Sequence, residues 1–271
     1  MAARQITGDM SVFSLGGSSY LSYFRNVKLT GTFDTVESRP AVNLASRAQV
    51  VKKGGVLSTE LMSVVSGSAK VSHLDLSAFS IDGASWLNAI SGKFTGSFEH
   101  KEADGPGTIW KYPLVASKDY EFSGTIKVPA TGGIQAMMTD AWSATAADNE
   151  WVVTFTINGV AITLPMVLTS AELMFEEAGI QTVAITLKGQ GPDNTATAYP
   201  TAPAGTTSIL EKAFNAPKTA IAWALTSHAT EGNAYSGNAV IQSFEIGIED
   251  GALINAQYTY ATQGAVTATA N

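Results

Sequence analysis

Three histidines, His73, His100 and His228, are the only imidazoles in the 271 residues. None stands at HxH, HxxxH or HExxH spacing, so they do not offer the converging ligands that a zinc site needs. His73 alternates with Val71 and Asp75, as an ordinary strand residue would. There is no cysteine, which excludes disulfides, cysteine-zinc sites and thiol nucleophiles. Serine is abundant, yet no GxSxG elbow singles out a nucleophile. Gly16-Gly17 and the GQGP at 189–192 do not end in GK[ST] and read as turns rather than phosphate cradles. Aspartates are scattered singly, without a DxDxDG calcium loop. The tryptophans, such as Trp110 and Trp151, fit core or interface packing, with a carbohydrate platform as the functional alternative. No catalytic residue, metal or cofactor is expected, and the chain does not read as an enzyme.

What remains is charge and its placement. The net charge is −7, and only 14% of residues are charged against 45% hydrophobic. That balance excludes intrinsic disorder, which needs low hydrophobicity and high charge. It also implies that part of the surface faces something other than water. Net acidity disfavours tight binding to DNA phosphates, though not a wall that DNA slides past. One stretch is basic. Residues 37–55 hold Arg39, Arg47, Lys52 and Lys53, opposed only by Glu37. Pro40 and Gly54-Gly55 punctuate it, so an extended loop is expected. It serves either as a solvated hairpin tip or as an arm docking on a neighbouring subunit, anchored by Val42, Leu44, Val50 and Val51. Glu245, Glu249 and Asp250 form an acidic group, read as plain surface or as the lining of a lumen.

The elements that must carry these charges are strands. Period-two alternation of Thr, Val, Ile and aromatics recurs between Gly, Asn, Asp and Pro. In WVVTFTINGVAITLPMVL, Asn158-Gly159 suits a two-residue type I′ turn. It would set Ile157 opposite Val160, Phe155 opposite Ile162, and Val153 opposite Leu164. In SFEIGIEDGALINAQYTY, a three-residue loop, Glu249-Asp250-Gly251, is preferred. It sets Ile248 opposite Ala252, Ile246 opposite Ile254, and Phe244 opposite Ala256. Further strands are expected at 27–36, 49–51, 56–65, 70–79, 93–98, 109–115, 120–128, 181–188, 219–225 and 264–268. Thr169-Ser-Ala-Glu172 is a capping-box pattern, so a helix of about two turns is expected after it. Shorter helices are expected at 85–90 and 208–214, and a Pro-rich loop at 189–207. The length suits one large β-domain or two, split near 130 into 1–130 and 131–271. No run of eighteen apolar residues predicts a membrane helix, and the first residues lack the apolar core of a secretion signal.

The C-terminal stretch SFEIGIEDGALINAQYTYATQGAVT resembles the closing hairpin of tail tube proteins of long-tailed (siphovirus-like) bacteriophages. Residues 27–65 and KYPLVASKDYEFSGTIKVP are similar to other parts of that fold. The resemblance covers roughly half the chain as a pattern. It implies an all-β sandwich or barrel whose copies form stacked rings around a lumen, with the long loop reaching the next ring. Implied partners are further copies of the chain, other tail proteins, and DNA that passes without specific binding, with no membrane. The place implied is the virion tail, after synthesis in the host cytoplasm. A capsid decoration or tail-tip subunit, or a carbohydrate-binding adhesin module, is the rival reading.

Overall fold

A computed structural model describes residues 10–16, 18–19, 24–38, 47–62, 64–66, 69–71, 76–81, 83–85, 90–103, 109–127, 139, 142, 150–157, 160–174, 182–189, 218–227, 233–249 and 252–270. Almost all of them lie in strands. These are β1 (Val12–Leu15), β2 (Ser18–Ser19), β3 (Phe24–Ser38), β4 (Arg47–Met62), β5 (Val64–Ser66), β6 (Ala69–Val71), β7 (Leu76–Ile81) and β8 (Ala84–Ser85). There follow β9 (Ile90–Glu102), β10 (Pro113–Lys127), β11 (Glu150–Ile157), β12 (Val160–Met174), β13 (Thr182–Gly189), β14 (Ile221–Thr226), β15 (Asn233–Glu249) and β16 (Ala252–Ala270). Apart from the small β5–β6 pair, they join in one sheet of antiparallel neighbours. The all-β expectation is correct. Strands from before and after residue 130 alternate across the sheet: β9 and β10 lie between β15 and β13, and β4 pairs with β16. The linker at 129–133 lies outside the described residues.

The sheet forks at β15. Its first half pairs with β14 (Ile221 opposite Ala239) and its second half with β9 (Ser243 opposite Ser97). A register shift between Ile241 and Ser243 marks the fork. There the His100 Nε2 lies 2.9 Å from the Ile241 carbonyl oxygen, so the neutral ring with its proton on Nε2 donates to it. Burial pushes the His100 pKa below its ordinary value of 6.5, partly offset by that bond. A depressed folded-state value means stability that is complete above pH 6.5 and lost as pH falls through the folded-state value. The melting temperature should therefore fall on acidification from pH 7 to 5, and His100→Gln, which keeps a donor but cannot titrate, should flatten that slope.

From the fork the sheet runs β9-β10-β13-β12-β11-β7 and curls onto itself. In a flat sheet β9 and β11, four steps apart, would be separated by roughly 19 Å. Instead the Phe94 and Phe155 ring centroids lie 4.8 Å apart, and those of Phe79 and Phe122 5.2 Å. These rings form the centre of the core, together with Ile162, Ile185, Leu187 and Phe244. Burying each such side chain is worth about 1.5–3 kcal/mol, which favours the curled over the flat sheet.

The β11–β12 hairpin has the expected register, with Ile157 opposite Val160, Phe155 opposite Ile162 and Val153 opposite Leu164. Its tip, Asn158-Gly159, lies outside the described residues. On the other face Thr154 and Thr163 share a hydroxyl hydrogen bond of 3.2 Å. Two other expectations are corrected. First, the capping-box stretch is strand: β12 runs through to Met174, paired with β13 from Ser170 opposite Thr186 to Met174 opposite Thr182. The Thr169 hydroxyl donates to the Thr186 carbonyl at 3.1 Å instead of capping a helix. A helix of two turns is marginal on its own, whereas β13 offers a ready backbone edge. Second, the β15–β16 turn has two residues, with Glu249 opposite Ala252 and Ile248 opposite Leu253. Ile254 is then the extra residue of a bulge, so Ile246 faces Ala256 and Phe244 faces Tyr258. The apolar alternation is kept by the bulge rather than by the loop. The described ends of the expected 85–90 helix, Ser85 and Ile90, are strand residues. The expected 208–214 helix, and the 189–207 loop beyond Gly189, lie outside the described residues.

Candidate functional site

The site begins with four long strands, ordered β3-β4-β16-β15, and continues through β9 and β10. Cross-strand partners form rows. One row is Asn26, Glu60, Gln257, Glu245, Thr95 and Glu121. The next on that face is Lys28, Ser58, Thr259, Ser243, Ser97 and Asp119. Between them runs a row turned the other way: Val27, Thr59, Tyr258, Phe244, Gly96 and Tyr120. Apart from partly buried Val27, the side-chain-bearing members of that row are buried. Period two thus gives a six-strand wall, about 24 Å wide, apolar behind and polar in front.

The front is rich in hydroxyls and its charges are mixed. Glu245 lies here, and its Oε2 is 3.3 Å from the Lys93 Nζ. The Asp119 carboxylate likewise lies 3.2 Å from the Lys188 Nζ. Both pairs are half-exposed, so they contribute little to stability; their consequence is that a cation is neutralised where it stands. Glu249 ends β15, and Asp250 lies outside the described residues.

The expected basic loop is a hairpin instead. β3 continues to Ser38 and β4 starts at Arg47, with Ser38 opposite Arg47 and Asp34 opposite Lys52. Only residues 39–46, with Arg39, Pro40, Val42 and Leu44, fall outside the described residues. Gly54 and Gly55 do not end a loop. They lie within β4, where a Cβ would stand 3.0 Å from the Lys111 side chain and 3.3 Å from that of Thr262. From 31 to 37 on β3 and from 48 to 51 on β4, every residue is exposed. The hairpin therefore leaves the body as an arm. Its apolar residues are not anchors within this chain: Phe33 is 61% exposed, Val36 54% and Val50 46%.

At the root of the arm the segment carrying Trp110 runs parallel to β4 in a single bridge at Lys53. The Lys53 amide donates to the Ile109 carbonyl, and the Lys111 amide to the Lys53 carbonyl at 2.7 Å. The Lys53 ammonium stands 5.8 Å from the Trp110 ring centroid. The Lys111 Nζ lies 2.8 Å from Asp34 and 3.4 Å from Glu102, and Lys52 is 3.6 Å from Glu102. Two of the four expected cations, Lys52 and Lys53, are thus engaged by their own subunit. The hub, Lys111, was invisible in the sequence because its partners come from β3 and β9. The Asp34 carboxylate, chiefly, holds the Lys111 pKa above its ordinary 10.5. That contribution is complete below about pH 10.5 and is lost as pH rises through the raised value. Lys111→Gln should speed amide exchange in β3 and β4 beyond residue 31 several-fold, with the core of β9 to β13 unchanged.

Among the described residues no three histidines, aspartates or glutamates converge on one point, and no helix is long and apolar enough to cross a membrane. The fold and the site define an all-β protein with a polar wall and a protruding arm. No protein-family model, no curated protein and no solved structure matches the chain.

Proposed function

We propose that the protein is a self-assembling structural subunit of the tail tube kind. Copies close into rings, the rings stack, and the polar wall lines a lumen through which DNA passes without sticking. One observation carries this reading: the long, polar-faced sheet ends in an arm whose described apolar residues Phe33, Val36, Val50 and Val51 are largely exposed in the subunit. An isolated two-stranded ribbon is marginal in water. Exposed Phe33, Val36, Val50 and Val51 therefore call for a partner surface, and another copy of the chain supplies it in a homo-oligomer. Arg39, Arg47, Lys52 and Lys53 mark the arm that meets an acidic neighbouring surface. One or more of Glu245, Glu249 and Asp250 faces the lumen on this reading, and Glu245 stands on the polar front of the wall. Charge complementarity of this kind sets register and association rate more than affinity.

The front wall suits the passage of a polyanion. It sets Glu60, Glu121, Glu245 and Asp119 against Lys28, Lys93 and Lys188, the last two paired to acids, and the remaining negative charge repels phosphates at short range. The resulting place is the virion tail, beside other tail proteins. Negative-stain micrographs of the concentrated, purified protein should show rings or tubes with an open centre. Single compact particles at every concentration would sink the proposal, and closed knobs without a lumen would favour a decoration or tip subunit.

A further inference from the structure

Beyond Ala261 and Val56, β16 and β4 part company. Gly264, with φ of 76°, turns β16 aside, and the Lys111 carbonyl accepts from its amide at 3.0 Å. Past that point β16 pairs with β15 on one edge only, from Thr267 opposite Ser236 to Ala270 opposite Asn233, with Ala265 and Val266 in a register shift beside Gly237. Among the described residues the other edge has no strand partner. The segment opens on that register shift, but its sequence, AVTATA, carries no lysine, proline or charge to guard the edge beyond it. Beside it opens an apolar groove of about 500 Å³, walled by Leu29, Phe33, Trp110, Leu225, Tyr235 and Val266.

A second free edge lies elsewhere on the same chain. β3 spans 15 residues and, among the described residues, pairs with β4 alone. Its distal part, residues 32–37, matches the open β16 segment in length and carries the exposed Phe33 and Val36. Extended segments commonly add to open sheet edges, the backbone supplying affinity and the side chains specificity. We propose that residues 32–37 of β3 in one copy add as a strand to residues 265–270 of β16 in the next, setting the incoming Phe33 at the groove that the receiving copy's own Phe33 helps to wall.

This rests on the self-assembly reading and names its contact. The two edges belong to different parts of the chain, so the contact is heterologous and can repeat around a closing ring. Six rungs are small beside a standard interface of about 800 Å² per partner. A single contact is therefore weak, and ring closure supplies the remainder through effective concentration.

The absence of cysteine makes the test clean. Thr35→Cys is mixed under mild oxidation with Thr267→Cys, and separately with Ala265→Cys and Thr269→Cys, each single variant alone serving as control. At concentrations where light scattering reports association, at least one mixture should give a disulfide-linked dimer more than tenfold above both controls. Thr267→Lys with Thr269→Lys should abolish association while leaving the melting curve in place. Association without any mixed disulfide, or a dimer from Thr35→Cys alone, would overturn the strand pairing and leave self-assembly standing. No association at any concentration would remove both.

Discussion

Gly92→Ala should be among the most destabilising single-methyl additions in this chain. Gly92 of β9 lies opposite Gly124 of β10 and Ile248 of β15. A Cβ there would overlap the Ser123 carbonyl oxygen and stand 2.5 Å from the Gly124 Cα. Both are backbone atoms, so no side chain can rotate away. The sheet must open at the point where β9 and β10 curl. Gly96, four residues further along β9 on the same face, lies between Phe244 and Tyr120, and a Cβ there would overlap the Phe244 ring. Overpacking a core costs about 1–3 kcal/mol and occasionally more, and the backbone clash puts Gly92→Ala at about 3 kcal/mol. For a domain of this size that is a fall of roughly 6–12 °C in melting temperature. Ser97→Ala, on the polar face of the same strand, should stay within about 0.5 kcal/mol of the parent. A Gly92→Ala protein that melts with the parent would mean that β9 and β10 do not approach as described.

The second large effect is on assembly. Changing Arg47, Lys52 and Lys53 together to Glu should leave the subunit folded and slow polymerisation at least tenfold. Folding survives because what the lysines do within the subunit is modest. Lys52 faces Glu102 at 3.6 Å in a partly exposed pair, and such pairs are worth about 0–1 kcal/mol. Lys111 still bridges Asp34 and Glu102. On the proposed reading assembly should suffer, because the arm, reversed in sign, would meet an acidic neighbour. The defect should deepen at low salt, where the screening length is about 30 Å at 0.01 M. Right-angle scattering and micrographs across a salt series check both halves of the expectation. Assembly of the triple variant at the parent rate in low salt would leave the arm's cations without a role.

These two variants separate the parts of the molecule that its alternation announces from those it hides. The β11–β12 hairpin was legible because the turn residues and six apolar partners agree on one register. The polar wall was half legible. Glu245 was expected on the face opposite Phe244, Ile246 and Ile248, and it is there, but Lys93, one strand away on β9, appears only once β9 and β15 are side by side. The 169–174 stretch misled because Ala171 and Leu173, alternating with Glu172 and Met174, fit a strand as well as the capping box fits a helix. A local motif of four residues was outweighed by a neighbouring edge eight to sixteen residues away.

What the chain determined by itself is its class. A residue's face in a strand follows from its parity, and the turn chemistry of Gly, Asn and Asp is local, so both are written in the order of residues. The curl of the sheet, the fork at β15, the Gly92–Gly124 contact and the Lys111 hub were decided only by tertiary structure. Each joins residues whose distance in the chain bears no relation to their distance in space. The basic segment shows both sides at once. Its charge was plain in the sequence. Whether it became a loop or a paired arm depended on β3 and β4 finding one another, because a strand's backbone groups are satisfied only by a partner that its own sequence does not contain.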